Sequence, residues 1–403
     1  MPEQTKPEGA GVPEDKLDGP AKKPQTRAPA TWLPSVKVTA AAFLLALVVG
    51  AFLIVFSDRR VIESLGYFFD YPWDFFRFAG EAIYQSYWAL LTGSLGSGRA
   101  ISQTLERAAP LICAGLGVSL AFRTGLFNIG AQGQLLVGAI VAGYVGFTWD
   151  LPPGVHLVAA LLLGVAGGAA WGAISGLLKA KTGAHEVITT IMLNYVAASL
   201  LLYLLTKDTF QRPGSNNPQS KPAADSALFP SIGNTHTGVI LAVLAAVGVW
   251  WLLERSTIGF EMRAVGANAD AAATAGMSVA KAYTLAMLVA GALAGLAATM
   301  QILGRNDSLT ANVAGSIGFD AITVALLGRA TPLGTVLAGL LFGALAAGGI
   351  QMQASQAATP VSLTLVLQAL IVLFVAAPAL VRGAMRMKDT GGGATVMAKG
   401  WGS

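Results

Sequence analysis

The chain has 403 residues, of which 54% are hydrophobic and only 12% charged, with 48 glycines and a formal net charge of +5. A typical soluble domain carries roughly a quarter of its residues as charges, so this chain lacks the polar surface of a water-soluble globule of its size. Its basic residues are dispersed between apolar runs and form no stripe, which argues against nucleic acid as a partner.

In chain order, residues 1–35 mix Pro, Lys, Glu and Ala with no apolar period and are expected to form a disordered cytoplasmic tail. Val38–Phe56 follows as the first membrane span. It is too long for the apolar region of a signal peptide, and no small-residue cleavage site comes after it. Residues 57–103 hold polar turns and an amphipathic stretch, Ala82–Leu91, expected to lie along the outer surface. Further spans are expected near 104–122, 128–147, 155–178, 187–206, 237–254, 281–303, 316–330, 334–351 and 360–381, each helix covering the bilayer at 1.5 Å per residue. The stretch 316–330 is short, as expected of a broken or re-entrant helix, which membranes admit only where its backbone is buried in protein or lines a cavity. Residues 386–403 are expected to be a flexible cytoplasmic tail.

The fold class is therefore an all-α integral membrane protein of about ten helices, with a single membrane-embedded unit over 36–385. Even crossings place both ends on one side. An N-in, C-in arrangement puts 17 of the 26 basic residues inside, six of them in or beside the first tail. Arg123, Lys179, Lys181, Arg255, Arg263 and Arg329 fall in or near short inner turns, where the positive-inside rule is strongest.

Gly164, Gly168, Gly172 and Gly176 recur every four residues, and Gly291/Gly295 and Gly339/Gly343 repeat the spacing. Such ladders let helix backbones approach closely in lipid. They predict a bundle and no chemistry.

Catalytic signals are absent. The lone Cys113 lies in an apolar run, and His156, His185 and His236 are far apart. His185-Glu186 opens like a zinc-protease motif but meets Thr189 where the second histidine belongs. No Gly-Lys dipeptide occurs, so there is no Walker A loop; any ATP and Mg²⁺ would be held by another chain.

Two segments contradict their apolar surroundings. Gly125–Gln134 (GLFNIGAQGQ) carries three amides, Asn128, Gln132 and Gln134, beside Phe127. These either cap a helix start and bond neighbouring helices or line a polar solute's path. Asn194, mid-span, and Asp320, in the short span, are further candidates for that path, although Asp320 would serve equally as an exposed cap. Trp149, Trp250 and Trp251 stand at span ends as interfacial anchors. The second segment is the inner loop Glu254–Lys281, built around Gly259, Arg263, Ala264, Gly266, Asn268 and Gly276. A short Ala-rich helix framed by glycines there suits insertion into a groove on another protein.

At these segments the chain resembles the branched-chain/simple-sugar class of ABC-importer permeases. The resemblance is carried by GLFNIGAQGQ (125–134), EVITTIMLNY (186–195), GFEMRAVGANADAAATAG (259–276) and GFDAITVALLGRATPLG (318–334), and runs over about 36–385. Within the class it is most similar to nucleoside permeases that work with basic-membrane-protein-type lipoproteins. This resemblance implies a second, similar permease subunit, most simply in a heterodimer, two ATPase subunits beneath, and an extracytoplasmic binding lipoprotein above. It implies a bacterial inner-membrane location and makes 259–276 the coupling helix. The outer connection Lys207–His236 becomes a contact for the lipoprotein. The expected function is import of nucleosides or simple sugars by alternating access; an ion-coupled secondary carrier is the alternative, and only Asp320 could serve its coupling.

Overall fold

The computed structural model describes residues 32–385 apart from 216, 306–307 and 356–359. The expected tails lie outside the described residues, except that 32–35 belong to the first helix. The helices are α1 Trp32–Ser57, α2 Arg59–Ser64, α3 Pro72–Leu95, α4 Gly98–Arg123, α5 Ala131–Thr148, α6 Val155–Thr182, α7 Glu186–Leu205 and α8 Gly238–Arg255. Then follow α9 Thr257–Ala267, α10 Ala269–Thr274, α11 Val279–Arg305, α12 Ile317–Leu327, α13 Pro332–Ala354, α14 Val361–Ala376 and α15 Pro378–Ala384. Eight are long and apolar enough to cross a membrane, and α12 and the apolar part of α14 are shorter. The chain is thus an all-α multi-pass membrane protein.

Local chemistry sets the ends. Ser97 opens α4, its Oγ accepting from the Ala100 N–H at 3.1 Å. Thr331 opens α13 with Pro332 at the first helical position, where a missing N–H costs nothing. Gly183 closes α6 with φ of 70°, a left-handed cap suited to glycine. Between α12 and α13 the chain turns through Arg329 and Ala330, both at positive φ, and the Arg123 Nε donates to the Ala330 carbonyl at 2.9 Å.

The hub is α4, 78% of whose most apolar window is buried, whereas α6, α7 and α8 bury 22% and turn their remaining surface outward as lipid-facing helices do. The glycine ladder performs as its spacing predicts. Gly168 and Gly291 each face the other's carbonyl so closely that a Cβ on either would overlap it, and Gly164 and Gly295 make the next rung. Gly339 and Gly343 admit Ile112 and Ala108 of α4 in the same way.

Four expectations need correction. Residues 57–103 hold more than polar turns and a ten-residue amphipathic stretch; they contain α3, 24 residues long and packed between α1 and α13. The segment 124–130 is not helical, so the third expected span begins at Ala131. The last expected span is divided at Ala377 into α14 and α15. The inner loop holds two helices, α9 and α10, jointed at Asn268.

The connection from 206 to 237 is a folded cap. Its Ala224 N–H donates to the Gly146 carbonyl at 2.8 Å and its Phe229 N–H to the Leu303 carbonyl at 3.0 Å. Buried Ser220 receives the Leu309 N–H at 2.8 Å. His156 joins α6 to this cap through Ser226 at 2.8 Å, and His236 stacks on Phe229.

Candidate functional site: two half-helices joined by amides

The polar segment 125–134 climbs from one end of the bundle into its middle. Gly125, at φ of 80°, makes the turn out of α4, and Leu126 and Asn128 are buried. Phe127 stacks on Phe122 with ring centroids 5.1 Å apart. The helix α5 starts only at Ala131, where Gly133 lies against Asn194. Asn194 is two turns into α7, so α5 begins roughly 12 Å inward from the Glu186 end of α7, at 1.5 Å per residue. From the opposite direction α12 is another half-helix; its 11 residues cover about 16 Å, half the hydrocarbon core.

The first turn of a helix leaves N–H groups without intrahelical partners. Neither half-helix has a side-chain cap from its own N-cap residue. Amides of neighbouring helices do that work. The Gly133 N–H of α5 donates to Asn194 Oδ1 at 2.8 Å, while Asn194 Nδ2 donates to the Ile129 carbonyl at 2.9 Å. The Gly318 N–H of α12 donates to Gln132 Oε1, and Gln132 Nε2 donates to the Gly315 carbonyl, both at 2.9 Å. Asn128 accepts from the Gly130 N–H at 2.8 Å and donates to Gln134 Oε1 at 3.2 Å.

The sequence-derived path residues therefore divide. Asn128, Gln134 and Asn194 are buried and spend their amides on backbone or on each other. Gln132 and Asp320 are half-buried, beside exposed Gly315, Ser316 and Phe319. Asp320 Oδ2 accepts from Ser316 Oγ at 2.6 Å and sits one turn inside the exposed mouth of α12. The junction thus presents two helix N-termini, which carry positive partial charge, with one carboxylate beside them. Such a surface can hydrogen-bond a neutral polar solute as it passes. It holds no nucleophile–base pair, and among the described residues no cluster of His, Cys, Asp and Glu is arranged for a metal.

The second group lies on α9 and α10. Ser256 Oγ caps α9 by accepting the Gly259 N–H at 2.9 Å, and Asn268 Oδ1 caps α10 by accepting that of Ala271 at 3.0 Å. A Cβ on Gly259 would overlap the Leu252 carbonyl, so this glycine presses α9 onto the end of α8. Arg263 pairs with Glu254 at 2.9 Å, and Ala264 is half-buried. Gly276, at φ of 83°, turns the chain from α10 toward α11. Gly266 is the telling residue: a Cβ there would overlap the Arg123 carbonyl oxygen and lie 2.9 Å from the Gly125 nitrogen. Hence α9 rests directly on the base of the polar segment.

Sequence reading missed Phe260 and Ile258, which are 56% and 42% exposed on α9. They are apolar side chains left outward on a loop helix beyond the spans, and that was the available signal. Also missed was Ser119, bonded at 2.8 Å to Thr335 between α4 and α13; nothing in the sequence pairs two hydroxyls so far apart.

Comparison with known proteins agrees with this architecture. The profile of a family described as the branched-chain amino acid transport system permease component matches residues 100–376. A guanosine ABC transporter permease of Bacillus subtilis is 40% identical over 319 residues, covering 78% of this chain and 91% of that protein. A glucose ABC transporter permease of Haloferax volcanii is 36% identical, covering 72% of this chain and 79% of that protein. A nucleoside ABC transporter permease of Lactococcus lactis is 34% identical, with coverage of 71% and 82%. No solved structure matches the chain. A profile spanning the bundle from α4 to α14, and relatives aligned over most of both lengths, leave one conclusion: the chain belongs to the permease-component family of ABC transporters and is a multi-pass membrane permease subunit.

Proposed function

We propose that this chain is one of two permease subunits of a bacterial plasma-membrane importer that carries nucleosides, or related simple sugars, inward by alternating access. The single observation that carries the mechanism is the seat of Gly266 on the Arg123–Gly125 backbone, which joins the α9–α10 pair to the foot of the polar segment. An ATPase partner holds ATP and Mg²⁺ and grips α9–α10 through Phe260, Ile258 and the exposed Ala-rich surface of α10. Its closure moves α9, and the backbone contact passes that displacement to 124–130 and so to the start of α5. Coupling travels through contiguous packed contacts of this kind.

The solute passes over Phe319 and Asp320, on a face that this chain alone leaves open. A second permease subunit completes the path. Bacillus subtilis and Lactococcus lactis each have two such permeases similar to this chain, at 40% and 27% and at 34% and 24% identity, which favours a heterodimer. An extracytoplasmic binding lipoprotein docks on the cap formed by 206–237 and supplies the selectivity. The few charges in the spans suit a neutral solute and give an ion-coupled carrier little to work with.

Cells lacking the chain should lose high-affinity uptake of labelled guanosine, and unlabelled nucleosides should outcompete glucose for that uptake in the complemented strain. Unchanged guanosine uptake in the deletion strain, or competition by glucose alone, would refute the nucleoside assignment.

A further inference from the structure

We infer that Gln132 is a positioning residue: a latch that clips the start of α12 to the start of α5 and must release for the path to open. This inference rests on the importer reading. Gln132 was a candidate solute contact, yet both ends of its amide are taken by α12, at the Gly318 N–H and the Gly315 carbonyl. Gly318 also packs on the Gln132 backbone so tightly that a Cβ there would overlap it. The other amides of the junction are buried and bond one another or the backbone of 129–133. Gln132 alone reaches across to the half-helix that bears the exposed mouth. One bond is exposed and the other part-buried, so water can replace each as it breaks; hydrogen bonds that exchange with water are individually weak. The clip is strong enough to define a resting position and weak enough for a partner to undo.

The test uses the full transporter in cells, with Cys113 replaced by Ala and a Gln132→Cys, Ser316→Cys pair. A short bis-thiosulfonate linker joins the two positions and a reductant frees them. Labelled guanosine uptake should fall at least tenfold on linking and recover on reduction. Undiminished uptake with the link intact overturns the latch. Loss of ATP-driven uptake in the wild-type chain would strike the importer reading itself, and the latch with it.

A second inference stands on different contacts: we propose that α3 is a further membrane crossing, so the described residues make eleven and the Trp32 end of α1 faces away from α9–α10. The C-terminus of α4 meets Gly266, which marks the α9 end of the bundle. Ser119 meets Thr335 and Ala108 meets Gly343, so α13 runs opposite to α4, away from that end. Leu90 meets Gly348 and Gly93 meets Gln351, so α3 runs with α13. Tyr87 of α3 donates to the Leu47 carbonyl, and Arg60, beyond the end of α1, lies 3.9 Å from Glu81. Thus α1 descends toward the α9 end as α3 climbs from it. At 24 residues α3 spans about 36 Å, more than the roughly 30 Å core. Its charges, Asp74, Arg77 and Glu81, are confined to its first turns; Arg77 pairs with Glu81 and Arg60 with Asp58. Tyr84, Trp88 and Leu91 turn outward above them.

Single cysteines at Gly66, Gly98 and Ala275 in the Cys113→Ala background decide the matter. Apart from the adjoining chain itself, nothing lies within 4 Å of where a Cβ at Gly66 or Gly98 would be. A membrane-impermeant maleimide should label Gly98→Cys in intact cells, and Gly66→Cys only after permeabilisation, together with Ala275→Cys. Labelling of Gly66→Cys in intact cells would overturn the extra crossing.

Discussion

Two contact regions inside the bundle are built on opposite principles. Along the α6–α11 seam, Gly168, Gly172, Gly291 and Gly295 bring backbone against backbone, and no polar group must be exchanged to hold it. At the α5–α12 junction, half-helices meet at one such backbone contact, Gly318 on Gln132, and are otherwise held by amide side chains reaching from neighbours. Close-packed interiors tolerate almost no sliding, whereas single hydrogen bonds at a half-exposed surface are easily traded for water. The seam is suited to serve as the fixed frame and the junction as the part that moves.

The contrast can be broken from either side. The largest expected effect is Gly168→Leu, whose side chain has no room against the Gly291 carbonyl. Overpacking typically costs about 1–3 kcal/mol and more where backbone is the obstacle. Thermal unfolding in detergent should show the loss, and an unshifted transition would mean that the seam is not rigid. Next is Gly266→Leu, which cannot seat on the Arg123–Gly125 backbone; guanosine uptake should drop at least tenfold while the protein still reaches the membrane. Asn194→Leu comes third. It strips the Gly133 N–H of its partner and should lower stability by about 1–3 kcal/mol, with uptake per folded molecule retained. If uptake collapses while stability holds, Asn194 belongs to the moving part. The mildest is Phe260→Ser, expected to weaken recovery of the ATPase subunit in co-purification several-fold without changing detergent stability, because Phe260 is exposed.

The frame was far more legible in the sequence than the junction. Apolar runs and four-residue glycine spacing report local periodicity, and the spans expected at 155–178, 187–206, 237–254, 281–303 and 334–351 and the glycine seam emerged as expected. The junction depends on contacts between Gln132 and Gly318, 186 residues apart, which no local pattern encodes. Sequence polarity found Asn128, Gln132 and Gln134 but gave no means of separating an amide consumed by backbone from one left at a surface. The full length of α3 went unread for a physical reason. It carries Asp74, Arg77 and Glu81 near one end and Gln85, Ser86, Thr92 and Ser94 along the rest, which together lower its hydropathy below that of a span. The charge count favouring an N-in arrangement drew six of its 17 inner residues from in or beside the first tail, so it weighed little on the bundle itself.

The central claim is that these helices form a passive gate whose motion is imposed at α9–α10 by ATP consumed on another subunit. Right-side-out membrane vesicles loaded with ATP, with proton and sodium gradients collapsed, test it directly when given the binding protein and labelled guanosine. The account predicts that guanosine accumulates against its gradient and that Gly266→Leu vesicles do not accumulate it. Accumulation that needs an ion gradient and ignores internal ATP would contradict it.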